Sequence, residues 1–205
     1  MSKYSDFHRI SNKEIEILKY NKRFEKIDKK DAILKVLNYY QPQLNKLTEH
    51  LENKVSKWEV DFKENVYNNF PHILAVYISN NVCCFHLNEQ FSNCGILVSS
   101  KTYSYYTNLG IGSLLQCIKE DIAYVFGYSF LSYTDAIWTG REKINTKLIL
   151  NTGAKEIFRG HNTRSSNMIA IWIKDLHAYY KERKVTELTE QTEVKTETVV
   201  ETKEL

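Results

Sequence analysis

The chain reads as a mixed α/β (α+β) domain, with a mainly antiparallel sheet, helices on both faces and a helical N-terminal segment. Three observations carry this. Apolar residues between positions 11 and 70 recur every three or four residues, the period of a helix face. Between 72 and 173, short runs rich in Val, Ile, Tyr and Phe are punctuated by Asn and Gly. Two helical stretches, 109–126 and 141–150, fall between those runs. Three zones follow: a helical segment at 1–70, a core at 71–184, and a polar tail at 185–205.

The first zone opens with Ser11-Asn-Lys-Glu14, in which Ser11 and Glu14 have capping-box spacing, so a helix is expected through Ile17 and Tyr20. A second helix is expected from about Lys30 to Tyr40, interrupted at Gln41-Pro42, with Pro42 suited to the first turn of the next one. Leu44, Leu47, Leu51, Val55, Trp58, Phe62, Val66 and Phe70 then keep a helical spacing. Tyr4 to Ile10 is the best candidate for a first strand.

The core begins with His72 to Ser79, turns at Asn80-Asn81 and returns over Val82 to Leu87, a hairpin. Asn93 to Val98 is a third strand, and Leu109-Gly-Ile-Gly-Ser-Leu-Leu115 leads into a helix that reaches Phe126 and stops at Gly127. A fourth strand covers Tyr128 to Tyr133, ending at Asp135. The helix 141–150 stops at Asn151-Thr-Gly153, a C-cap pattern. Ala154 to Arg159 and Met168 to Ile173 are the last strands, and a short helix closes over Asp175 to Lys184. The tail holds six Glu, six Thr and two Lys, which leaves the body at +7 of the whole chain's +3; it has little to bury and is expected to be disordered.

The 205 residues are 42% hydrophobic and 26% charged, a globular balance. No apolar run approaches the ~18 residues that a membrane helix needs. The start, Met-Ser-Lys-Tyr-Ser-Asp, leads into no signal-peptide core. A cytoplasmic protein without membrane partners is therefore expected. The abundance of Lys, Asn and Tyr suits an AT-rich genome, bacterial or phage; for a phage protein the compartment is the host cytoplasm. Cys83, Cys84, Cys94 and Cys117 form no Cys-x-x-Cys pair, so no metal site is expected, and Cys84, His86 and Cys94 read as sheet residues.

Gly110-Ile-Gly112 precedes a helix whose first N–H groups and dipole favour an anion. Glycines there keep side chains away from those donors, so a pyrophosphate fits. The order of hairpin, strand, Gly-rich turn, helix, strand, helix and closing hairpin over residues 72–176 resembles the GCN5-related N-acetyltransferase (GNAT) superfamily. Ile96-Leu-Val98 resembles its fourth strand, Gly110-Ile-Gly112 the end of its Gly-rich signature, and Asn151 to Ile157 its last helix end and strand entry. The resemblance implies a splayed central strand pair, acetyl-CoA or another acyl-CoA as cosubstrate, and transfer to an amine acceptor. It implies cofactor contacts from Leu97, Val98 and Ser99 on the strand, from Thr107, Asn108, Leu109, Gly110, Ile111, Gly112 and Ser113 at the turn, and from Asn145. The sequence departs from the signature at Thr107, where Arg or Gln is usual, at Ile149, where a catalytic Tyr is frequent, and at Gly153-Ala154.

Acyl transfer to an amine needs a base and an oxyanion donor. Glu89 resembles the position of a carboxylate that acts through water in some family members. His86 lies on the same strand. Asp135 ends the fourth strand beside the Gly-rich turn, and Tyr133 is a candidate acid for the leaving thiolate. Two other classes remain open: a protein that keeps the fold without catalysis, and a phage nucleobase-modifying protein of the Mom type, to which Ser132-Tyr-Thr-Asp135 is loosely similar. Lys101, Tyr103, Tyr105 and Tyr106 suit nucleic acid by charge and stacking, but a solvated loop is the favoured reading. The N-terminal helices pack internally or pair two chains.

Overall fold

The computed structural model describes residues 4–24, 29–51, 57–64, 74–90, 95–103, 106–137, 142–161 and 167–201. After a 3-10 turn at Tyr4–Asp6 come α1 (Asn12–Phe24), α2 (Lys29–Thr48), β1 (Glu59–Glu64), β2 (Leu74–Ser79), β3 (Cys83–Gln90), β4 (Gly95–Thr102), α3 (Ile111–Val125), β5 (Phe130–Ala136), α4 (Glu142–Asn151), β6 (Lys155–His161), β7 (Met168–Asp175) and α5 (Leu176–Glu201). The strands form one sheet in the order β1-β2-β3-β4-β5-β7-β6. Every pairing is antiparallel except β4 with β5, which α3 joins as a crossover helix.

The hairpin between β2 and β3 closes as expected from Asn80. Its Oδ1 accepts the N–H groups of Val82 (2.9 Å) and Cys83 (3.0 Å), a side-chain-stabilised turn. Cross-strand partners share a face, so the register defines two surfaces. One carries Ile78, Phe85, Leu87, Leu131, Tyr133, Asp135, Ala170, Trp172 and Lys174, all buried. On the other, Tyr77 and Ile171 are half-buried, and His86 and Thr134 are exposed.

α3 lies against the buried face. It contacts β3, β4 and β5 on one side and α1, α2 and α5 on the other, which is why all its residues except Gly112 are buried. The capping box forms as read: Glu14 N–H donates to Ser11 Oγ at 3.2 Å, and Glu14 Oε2 accepts from Ser11 N–H at 3.3 Å. Thirteen residues follow in α1.

Four expectations change. The helical spacing from Leu44 does not hold through Phe62, and Val55, Val66 and Phe70 lie outside the described residues. Trp58, just before β1, and Val60 turn inward and Asp61 outward, and β1 pairs with β2 along its whole length. Trp58 meets the Phe85 ring edge-on at 6.3 Å. The stretch satisfies both periods locally, and pairing with β2 decides for the strand. Pro42 does not break a helix; α2 runs through it. Tyr4 to Ile10 joins no strand: it makes the 3-10 turn and then lies along the helices, with His8 N–H donating to Gln43 Oε1 (2.9 Å) and Gln43 Nε2 donating to the His8 carbonyl (2.8 Å). Finally, α5 runs to Glu201, far past the short closing helix expected at Asp175 to Lys184. Thr186 and Thr189 hydroxyls bond back to the carbonyls of Glu182 (3.2 Å) and Val185 (3.0 Å), and Glu and Lys favour the helix. No described helix is long and apolar enough to cross a membrane.

Candidate functional site

β4 and β5 pair only from Gly95↔Phe130 to Val98↔Tyr133. β4 continues to Thr102, still laddered to β3, and β5 continues to Ala136, still laddered to β7. Beyond Val98 and Tyr133 the two strands therefore form a fork, with each strand lacking its inner ladder. The fork opens toward the turn that enters α3.

That turn is built on left-handed backbone. Asn108 has φ 66° and Gly110 φ 94°. Gly110 is the N-cap of α3 and no side chain caps the helix. The N–H groups of Ser113 (3.0 Å) and Leu114 (3.1 Å) return to the Gly110 carbonyl, so the backbone closes the first turn. Thr107 and Asn108 are exposed, Leu109 and Gly110 half-exposed, and Ile111 and Ser113 buried. A Cβ at Gly112 would meet Leu148 Cδ1 of α4 at 3.5 Å, an ordinary contact. Gly110 thus has a conformational reason to be glycine, whereas Gly112 sits beside α4 with room for a methyl group. Leu97, Val98 and Ser99 lie on β4 where the fork begins, and Asn145 lies in the first half of α4.

The four residues considered for the chemistry do not converge. Tyr133 and Asp135 share the buried face of β5. Asp135 accepts a hydrogen bond from Thr146 Oγ1 of α4 at 2.8 Å. His86 is on the opposite face of the sheet, exposed and tilted against the Tyr77 ring with centroids 4.8 Å apart. A two-residue period puts it out of reach of Tyr133 and Asp135. Glu89 pairs with Ile96 in the closed part of the sheet. Ile149 is core. Of the residues weighed for nucleic acid, Lys101 is in β4 and Tyr106 is buried, while Tyr105, like Cys94, lies outside the described residues. Tyr103 is half-buried.

Sequence reading missed the most highly charged part of the interior. Lys119, Glu120 and Asp121 are consecutive on α3 and at most 1% exposed. Glu120 Oε2 accepts from the Tyr4 hydroxyl, from Arg9 Nη1 at 3.0 Å and from Lys174 Nζ at 2.8 Å. Asp121 Oδ1 accepts from Arg9 Nη2 and from the Tyr180 hydroxyl, and its Oδ2 from the Tyr40 hydroxyl at 2.6 Å. Segment 4–10, α2, β7 and α5 are thereby tied to one point on α3. Burial pushes the Tyr4, Tyr40 and Tyr180 hydroxyls far up, so they stay protonated and donate.

Lys119 points the other way, toward the sheet. Its Nζ is 6.0 Å from the Tyr133 ring centroid. Burial lowers its pKa to about 7 against the opposing fields of Glu120, Cys83 and Cys117. The Cys83 and Cys117 thiols are themselves pushed up to about 12 by burial and remain neutral. The Tyr133 hydroxyl is enclosed, with no hydrogen-bond partner of normal geometry among the described residues; burial raises its pKa and the nearby Thr152 side chain lowers it. The available signal was phase: Lys119 stands four residues after Leu115 and three before Ile122, inside the apolar stripe of the helix.

No family profile matches the chain, and no curated protein sequence matches it. Solved structures do match. A structure named IAA acetyltransferase, from Bacillus cereus ATCC 14579, superposes with a TM-score of 0.46 at 12% identity, over 60% of this chain and 99% of that one. The ribosomal-protein-S18-alanine N-acetyltransferase from Escherichia coli gives 0.42 at 11% identity, over 58% and 94%. A Salmonella typhimurium structure named for acetyltransferase activity, solved with its cofactor acetyl-CoA, gives 0.41 at 10% identity, over 59% and 95%. These likenesses assign no residue and no activity to this chain; its own strand order and register describe a mixed α+β fold with a mainly antiparallel sheet.

Proposed function

We propose that the chain is an acyl-CoA-dependent N-acyltransferase, moving an acetyl group to an amine. The observation that carries the reading is the fork: a parallel pair whose ladder stops at Val98↔Tyr133 while both strands run on, facing a helix that begins at a left-handed glycine. A pantetheine arm is a chain of amides, and the inner edges of β4 beyond Val98 and β5 beyond Tyr133 supply backbone donors and acceptors for it. The pyrophosphate fits the N-terminus of α3, where the amides of Gly110, Ile111 and Gly112 gather beside Ser113, with Thr107, Asn108 and Leu109 forming the approach and Asn145 alongside. Leu97, Val98 and Ser99 then flank the thioester, and a β4 N–H polarises its carbonyl as charge develops on oxygen. Asp135, held by Thr146, is a carboxylate on the β5 prong of the fork.

The test is a thermal shift with acetyl-CoA. At about 100 times Kd the ligand is expected to raise Tm by about 5 °C or more. Desulfo-CoA tests whether the nucleotide and arm suffice. The absence of a shift with any acyl-CoA refutes the reading and leaves a fold retained without catalysis, the second reading, which the buried Ile149 favours.

A further inference from the structure

Lys119 is positioned by three independent relations. It lies eight residues, about 12 Å, along α3 from Ile111, where the diphosphate is proposed to rest. An extended phosphopantetheine arm has a length of that order. Lys119 is electrostatically coupled to Cys83, which pairs with Thr102, and its Nζ faces Tyr133, which pairs with Val98. It therefore sits beneath the segment of β4 between Val98 and Thr102, the part without a β5 ladder. The groups facing it are Cys83 from β3, Tyr133 from β5, and Cys117 and Glu120 from α3. The carboxylate among them is engaged on the far side by Tyr4, Arg9 and Lys174.

Resting on the acyl-transfer reading, we infer that Lys119 is the proton carrier at the closed end of the fork, taking the proton that the acceptor amine loses and returning it to the departing thiolate of coenzyme A. The step balances. The acceptor nitrogen attacks the thioester carbonyl, the C–N bond forms and the C–S bond breaks. The proton lost by nitrogen goes to neutral Lys119 Nζ, and the resulting ammonium gives it to the sulfur, so the lysine ends as it began. An amine titrating near 7 is matched to a proton that must be taken and given back in one turnover. In the product complex the neutral amine faces the thiol it has protonated, a hydrogen bond that desulfo-CoA cannot make.

The experiment needs no acceptor. CoA and desulfo-CoA are titrated by calorimetry into the wild-type protein and into Lys119→Met, whose folding is checked by thermal unfolding. The wild type is expected to bind CoA about tenfold tighter than desulfo-CoA, and Lys119→Met to bind both equally, at the wild-type affinity for desulfo-CoA. Binding of both ligands with no preference for the sulfur, or a preference that Lys119→Met keeps, overturns the assignment of Lys119 and leaves the acyl-CoA site standing. Failure of the wild type to bind either ligand overturns both.

Discussion

Gly110 and Gly112 stand two residues apart in one motif and differ in what they require. Gly110 is held at φ 94°, where a Cβ costs about 1–2 kcal/mol. Gly112 has ordinary room beside Leu148. Gly110→Ala is therefore expected to lower stability by about that amount and to abolish the acetyl-CoA thermal shift, while Gly112→Ala keeps both. Equal behaviour of the two variants in thermal unfolding would show that the turn does not depend on its left-handed cap. The Gly-x-Gly spacing was legible in the sequence, but the unequal roles were not, because φ is set by the path from Asn108 into α3. Lys119 was hidden for a related reason. Three charges in a row on a helix look like a solvated face, and only packing on two opposite sides of α3 buries them all.

At the level of elements, strands flanked by turn residues were legible, and the hairpin at Asn80 formed on the chemistry read from its side chain. Elements whose identity depends on a distant partner were not. β1 exists because β2 offers it an edge, and the part of α5 beyond Lys184 was read as tail because its sequence is polar. α5 divides into two parts. Leu176 and Tyr180 are buried, and Arg183 donates to the Ile10 carbonyl at 2.6 Å. Glu187 accepts from Asn12 N–H at 3.2 Å. Deleting residues 188–205 is expected to change the unfolding free energy in urea by less than about 0.5 kcal/mol, since it removes none of these contacts. Deleting from Leu176 onward is expected to cost at least about 3 kcal/mol, because Asp121 loses Tyr180 inside the core. A large loss from the shorter deletion would mean that the distal turns of α5 pack on the body.

The whole molecule carries an unusual pH signature. Lys119 has a lowered pKa when folded, as has Lys174, so between pH 7 and 9 the unfolded chain binds more protons than the native one. Stability then rises with pH across that window. The fields that oppose this for Lys119 come from Glu120, Cys83 and Cys117; above pH 9 the two thiols, with raised native pKa values, reverse the slope. Urea unfolding from pH 7 to 9 is expected to show a positive slope in the wild type and a smaller one in Lys119→Met. A flat wild-type profile would place both lysines in ordinary, hydrated surroundings.

The convergence of segment 4–10, α2, β7 and α5 on Glu120 and Asp121 makes two neighbouring carboxylates the keystone of the molecule. Pulling any one strut away strands the same charges, so cleavage on either side of the sheet should release no free-standing fragment. The helical N-terminal segment is then not a module carried by the core but part of its vault, and the fork above α3 keeps its shape only while that vault is closed.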